Sequence, residues 1–425
     1  MAASIEVLTD IETRRRPVGD ALKDWGLSHR FAGSGDRAAI GNIVYDVLRR
    51  KRSLAWRLDD PSPRALVFGA VLDSSGLDEK GLALALEGDR FAPEMISADD
   101  LAGYRTREIA QAPDAVRADV PDWIGPHLSE AFGKDWVEEA AALGERPPLD
   151  MRVNTLRADR EKVLKALEPF SVQPSPIAPQ GLRIAPIAGD GRHPNVQVEA
   201  GFQKGWFEIQ DEGSQIVAAL TGVAPGEQVL DYCAGAGGKT LALAAAMQNT
   251  GQIHAYDSDR QRLAPIHERL KRAEVRNCQV HAPRDDLTEH RDRMDLVLVD
   301  APCTGTGTWR RRPDAKWRLS EQALERRVEE QRDALAGAAK FVKPGGRLAY
   351  VTCSLLPAEN DAQVAAFLTA RPDFALLDVA ANWSAVFPEA PPAFLSRPHG
   401  EGTMLTLTPR TSGTDGFFLA LFTRR

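Results

Sequence analysis

The chain has 425 residues, 43% of them hydrophobic and 27% charged, a globular composition too long for one ordinary core, so two or three domains are expected. Its net charge of −7 does not announce a nucleic-acid binder, although a local basic patch can sit inside an acidic average. The four cysteines include no CxxC pair, which predicts no metal site, and are too few in 425 residues for a disulfide framework; with neither a secretory signal nor an apolar run of membrane length, the expected compartment is the cytoplasm.

Residues 1–110 read as helical, because ALKDWGL, RAAIGNIVYDVLRR and RALVFGAVLD space apolar residues by three and four. Asp36 is the candidate N-cap of the second of these, and the basic tail Arg49–Arg52 is expected to end it, where cations suit the helix dipole. Residues 1–57 carry 11 Lys and Arg against 7 Asp and Glu. Between 121 and 204 a single helix, PHLSEAFGKDWVEEAAAL, precedes the strand LDMRVNTL, the helix ADREKVLKALEPF and a Pro- and Gly-rich remainder, which together predict a small α+β module. From 205 to 425 strands alternate with helices: QVLDYCA, GQIHAYD, CQVHAP, MDLVLVDAP and RLAYVTCS. That alternation predicts a doubly wound parallel sheet. The last two strands, TMLTLTP and FFLALFTRR, are joined too closely for anything but an antiparallel hairpin.

Four motifs carry candidate chemistry. DYCAGAGGKT, Asp231 to Thr240, is a glycine-rich strand-to-helix turn whose helix N-terminus offers free N–H groups. It is not a P-loop, since Cys233 stands where the first Gly must be, nor a G-x-G-x-x-G turn, since Thr240 replaces the last Gly. Asp257 ends the next strand and is placed to hold ribose hydroxyls, with helix capping as the competing role and Asp259 as its rival for it. DAPCTGTG ends the fourth strand with Asp300 and Cys303, and YVTCS ends the fifth with Cys353. A strand cysteine is commonly just a small hydrophobe, but two of them end strands at the edge where α/β sheets bind ligands. Arg310, Arg311, Arg312, Lys316 and Arg318, with Trp309 and Trp317 beside them, form a basic segment that could contact and stack on RNA or pack into a core.

These residues resemble the bacterial Fmu/Sun (RsmB-type) ribosomal RNA cytosine-carbon-5 methyltransferases over nearly the whole chain. DYCAGAGGKT is similar to the family's DxCAAPGGKT, with Gly235–Ala236 replacing Ala-Pro; DAPCTGTG matches DAPCSGxG; Thr352–Ser354 matches TCS; Glu359–Asp361 is like its ENE sequence; Asp415–Phe418 matches DGFF. Upstream, PPLDMRVNT and FEIQDEGSQ resemble PPLxLRVNT and QDxxSQ. The resemblance implies a Rossmann-like class I methyltransferase domain, seven-stranded with the last strand antiparallel, at 205–425. It implies a NusB-like helical RNA-binding domain at 1–120 and a small RNA-facing module at 121–204.

It further implies that Cys353 is the nucleophile, that Cys303 assists product release, and that Asp300 contacts the target base near the methyl donor. Cys233, Ala234, Gly235, Ala236, Gly237, Gly238, Lys239 and Asp257 would bind S-adenosylmethionine, and Asp285, or else Asp286, would contact its adenine. The chemistry asks for such groups: carbon 5 of cytosine becomes nucleophilic once a thiolate has added to carbon 6. Lys239 or Arg310 could lower a thiol pKa. The implied partner is RNA, 16S ribosomal RNA first and transfer RNA as the alternative, bound by a monomer without membrane association. A non-catalytic RNA-binding protein, a DNA methyltransferase with Cys303 as nucleophile and a nucleotide hydrolase are the competing readings.

Overall fold

Helical periodicity in the first hundred residues produces helices Ala2–Arg14, Val18–Ser28, Ser34–Arg49, Lys51–Leu58 and Pro63–Ser75, packed around Val44, Val47, Leu54, Leu58 and Phe68. The computed structural model describes residues 1–187, 189, 191–387, 395–400 and 402–425. Their contacts form two compact units, the first made of Met1–Arg146, Ile187–Arg192 and Trp309–Leu319.

Within this unit three local expectations change. Asp36 is not the N-cap: the helix starts after Gly33, and the Asp36 carboxylate reaches back to accept the Gly33 N–H at 2.9 Å. The Arg49–Arg52 stretch is no tail, because one helix stops at Arg49 and the next starts at Lys51; Arg49 is buried against Asp46 at 3.2 Å. The long helix expected across 126–143 is two, Gly125–Phe132 and Trp136–Ala142, parted where Gly133 takes φ +58°.

Of the two roles open to the basic segment, much of it takes core packing. Trp309 is 1% exposed, the Trp317 indole N–H donates to the Leu48 carbonyl at 2.7 Å, and the Lys316 ammonium donates to the Arg49 carbonyl at 2.9 Å. Arg310 is buried and its carbonyl accepts from Arg49 at 3.1 Å. These side chains build the core of the helical unit instead of an RNA-stacking face; Arg312 and Arg318 are exposed, and Arg318 pairs with Asp314 at 2.8 Å.

The second unit begins with the α+β module. Strands β1 (Leu149–Val153), β2 (Gln173–Pro174), β3 (Gly181–Ile184) and β4 (Phe207–Ile209) form an antiparallel sheet in the order β2-β3-β1-β4. Buried and half-buried ion pairs tie this module to the rest of the unit. Arg183 bridges Asp150 at 2.6 Å and Glu212 at 3.1 Å, and Glu208 binds Arg269 at 3.0 Å and Arg272 at 2.5 Å. Asn154 donates to the carbonyls of Gly205 and Ala273, both at 2.9 Å. At Gly205, φ +70°, a Cβ would stand 1.9 Å from the Arg272 carbonyl oxygen, so only glycine fits. The RVNT and QDEGSQ elements thus act as fasteners.

The large sheet holds β5 (Gln228–Asp231), β6 (Gln252–Tyr256), β7 (Cys278–His281), β8 (Met294–Asp300), β9 (Val342–Thr352), β10 (Phe374–Leu376), β11 (Leu395–His399), β12 (Gly402–Leu407) and β13 (Phe417–Arg424). Its order is β11-β12-β13-β9-β8-β5-β6-β7, with β10 also on β13. The strands from β7 to β9 are parallel, and β13 inserts antiparallel between β9 and β12. Both faces are covered, which is why β8 reads as the continuous run MDLVLVD. The fold is the expected Rossmann-like one, but among the described residues the sheet has nine strands instead of seven. The extra two are a three-residue strand, β10, and an edge strand carrying Pro398, β11, neither of which has a strong strand pattern. Among the described residues no helix is long and apolar enough to cross a membrane.

Candidate active site

The sheet reverses its winding between β5 and β8, so the turns after these strands open a crevice at their carboxyl ends. Asp231 ends β5 and is buried. One of its oxygens accepts from the Thr240 hydroxyl at 2.7 Å, the other has no partner, and burial pushes its pKa up to about 7. The next turn is shaped by Gly235 at φ +49° and Gly237 at φ +82°, where a Cβ would meet Ile266 at 2.5 Å. Helix Gly238–Ala246 starts there without a side-chain cap. Ala234 donates its N–H to the Tyr256 carbonyl at 2.9 Å, and the Ala236 carbonyl is held by Arg269 at 2.8 Å. Burial pushes the Cys233 thiol pKa up.

Asp257 directly follows β6, buried, accepting the Gly235 N–H at 2.9 Å and the Asp259 N–H at 2.8 Å. Asp259 takes the helix-capping role, through the Gln261 N–H at 2.8 Å, and leaves Asp257 to face the turn. Beyond β7, the carboxylate of Asp285 accepts the Ala282 N–H at 2.7 Å. It lines a cavity of 820 Å³ together with Arg260, Leu263, His267, His281 and Pro283. Asp286 is exposed and occupied with the Thr288 N–H at 2.9 Å. Glycine turn, uncapped helix start, strand-end carboxylate and cavity therefore succeed one another along the ends of β5, β6 and β7. This succession fits the carboxylate, ribose and adenine of S-adenosylmethionine.

On the other side of the crevice, Asp300 pairs with the buried Lys239 at 2.7 Å. Cys303 and Cys353 bring their sulfurs to 3.3 Å. The Cys353 hydrogen bond, and then burial, hold the Cys303 thiol pKa well above its ordinary value. Lys239 is thus a partner of Asp300, and Arg310 belongs to the helical unit.

The loop between the sulfurs is tied to one buried carboxylate, Glu359. It accepts from the Thr304 N–H at 2.8 Å, the Thr304 hydroxyl at 2.5 Å, the Gln331 amide at 2.9 Å and the Ser354 hydroxyl. Gln331 also donates to the Pro302 carbonyl at 2.9 Å. Sequence reasoning reached Glu359 only through its ENE-like setting, and it missed Gln331, which lies in a helix dense with charged residues. Two motif glycines explain each other: a Cβ on Gly307 would stand 2.3 Å from the Gly416 carbonyl oxygen, and the Gly416 N–H donates to Gly307 at 2.8 Å.

Such a sheet with this glycine turn and strand-end carboxylate defines an S-adenosylmethionine-dependent methyltransferase. Residues 218–423 match the 16S rRNA methyltransferase RsmB/F family, and residues 120–187 match the ferredoxin-like domain of RsmF/B-like methyltransferases. The chain is 33% identical to a probable ribosomal RNA small subunit methyltransferase B of Synechocystis sp., over 97% of both chains. It is 31% identical to ribosomal RNA small subunit methyltransferase B of Photorhabdus laumondii, over 72% of this chain and 66% of that one. A solved methyltransferase homolog from Pyrococcus horikoshii superposes with a TM-score of 0.60 at 27% identity, covering 73% of this chain and 98% of that one. The NSun6 structure from Pyrococcus horikoshii, solved with SFG, shares the fold with a TM-score of 0.59 at 22% identity, covering 72% and 98%. The chain belongs to the RsmB/F family of 16S rRNA methyltransferases.

Proposed function

We propose that this protein methylates carbon 5 of a cytosine in 16S ribosomal RNA, with Cys353 as nucleophile. The observation that carries the reading is the pair of sulfurs 3.3 Å apart in the crevice that Asp300 also enters. One thiol suffices for a nucleophile; two in contact, at the ends of neighbouring strands, suit a reaction that must both make and break a carbon–sulfur bond.

S-adenosylmethionine, when bound, supplies an electrophilic methyl group. The chain supplies the rest. The Cys353 thiolate adds to carbon 6 of the ring, and the electron pair of the 5,6 double bond becomes available at carbon 5. Asp300, held by Lys239, would meet the ring N3. After carbon 5 has gained its methyl, its remaining proton passes to a water as base, the C5–H electron pair re-forms the 5,6 double bond, and the Cys353 sulfur departs with the electron pair of the broken carbon–sulfur bond. Cys303, its sulfur 3.3 Å from that of Cys353, would assist the departure by donating a hydrogen bond to the leaving sulfur. The target base must be unstacked to enter the crevice. The helical segment and the ferredoxin-like module would position the RNA through its backbone.

The test is methylation of unmodified 16S ribosomal RNA with labelled S-adenosylmethionine, followed by nucleoside analysis. The expected product is 5-methylcytidine, absent with Cys353→Ala. Label in another nucleoside, or full activity of Cys353→Ala, would overturn the reading.

A further inference from the structure

His254 in the middle of β6, His281 at the end of β7 and His290 in the short turn Thr288–His290 are all buried, at 6%, 4% and 9% exposure. One ring nitrogen from each lies within 4.8 Å of the others. His254 Nδ1 and His281 Nε2 are 2.9 Å apart, and the rings of His254 and His290 have centroids 4.0 Å apart. Three imidazole nitrogens at about 2.0–2.1 Å from a tetrahedral ion stand roughly 3.3 Å from one another, so small ring adjustments would close this set around one.

A metal-free account covers two of the rings, since His254 and His281 can share one proton. It leaves the Nε2 of His290 buried without a hydrogen-bond partner. Two carboxylates flank the rings: Asp285 lies 3.9 Å from His281 Nδ1, and Glu289 lies 3.5 Å from His290 Nε2. A carboxylate on the far ring nitrogen, as Asp285 stands to His281, orients a metal-bound histidine, and both carboxylates would offset the charge of a divalent ion. The ligands come from two strands and a turn, 27 and 9 residues apart, so no local motif announces them and the sequence alone predicted no metal.

We propose that His254, His281 and His290 bind one divalent transition ion, zinc by their all-nitrogen donor set, with water as the fourth ligand. The ion would fasten the segment 282–290 to the exposed edge of the sheet. That segment carries Asp285 and so forms one wall of the cavity beside β7.

The experiment uses the full-length protein expressed with zinc and dialysed without chelator, with metal measured by mass spectrometry and melting followed with and without added zinc. The expected result is about one zinc per chain and a melting temperature that falls when a chelator removes it. His290→Gln and His281→Gln should lower the zinc content at least tenfold while still melting cooperatively. The Cys303→Ala/Cys353→Ala double variant should keep its zinc. Wild type that holds no stoichiometric zinc and gains no thermal stability from it would overturn the proposal. Zinc lost from the double cysteine variant but kept by the histidine variants would do the same, by assigning the ion to the thiols.

Discussion

At Asp231 the strand end and the binding turn share one carboxylate. It supports Thr240 and yet lies too deep to ionise freely, so its pKa rises to about 7. A raised folded pKa means that its contribution to stability is complete below the unfolded carboxylate value and is lost as the pH rises through about 7. Asp231→Asn keeps an acceptor for Thr240 and cannot ionise. The variant should therefore gain thermal stability relative to wild type between about pH 5 and about pH 8; parallel melting curves across that range would contradict this. Gly237 is the neighbouring case. Gly237→Ala meets both a left-handed φ and Ile266, and should weaken S-adenosylmethionine binding by more than about tenfold in calorimetry, with a stability loss of about 1–3 kcal/mol. The glycines and Asp257 were legible in the sequence because turn chemistry is local. The raised pKa of Asp231 was not, because it depends on burial by distant elements.

Elements explain why the reaction loop keeps its shape. Glu359, from a short helical turn after β9, gathers donors from the loop after β8 and from the helix Glu321–Ala338. Glu359→Ala leaves the Thr304, Gln331 and Ser354 donors unpaired in a buried site. It should cost about 2–4 kcal/mol in denaturant unfolding and lower kcat with little change in cofactor affinity. Unchanged kcat would show that the loop needs no such tie. The strands that frame this loop were readable as apolar runs, and the final hairpin as a short connection. The two added strands were not, since three residues at β10 and a proline-bearing edge at β11 carry no periodic signal. Gly133 broke a helix that its neighbours' spacing made look continuous.

For the whole molecule, the telling feature is the segment Trp309–Leu319, which leaves the chain of the methyltransferase unit between β8 and a long helix and belongs to the helical unit. A fragment ending at Arg146 would lack Trp309, Lys316 and Trp317. It should melt well below a helical unit supplied with a peptide spanning 309–319, and the peptide should bind it in trans with quenching of tryptophan fluorescence. A fragment equally stable without the peptide would show that the segment is dispensable. As sequence, this segment was a run of cations and aromatics with two open roles, and burial settles Trp309, Arg310 and Lys316 as core. Nothing local could have done so, because the partners, Leu48 and Arg49, lie more than two hundred residues away.

The central claim, that Cys353 attacks and Cys303 serves release, is tested most directly by incubating Cys303→Ala, Cys353→Ala and wild type with 16S ribosomal RNA and S-adenosylmethionine and reading protein–RNA adducts under denaturing conditions. The account predicts that Cys303→Ala accumulates an adduct stable to denaturant and that Cys353→Ala forms none. An adduct formed by Cys353→Ala and missing from Cys303→Ala would exchange the two roles and contradict it.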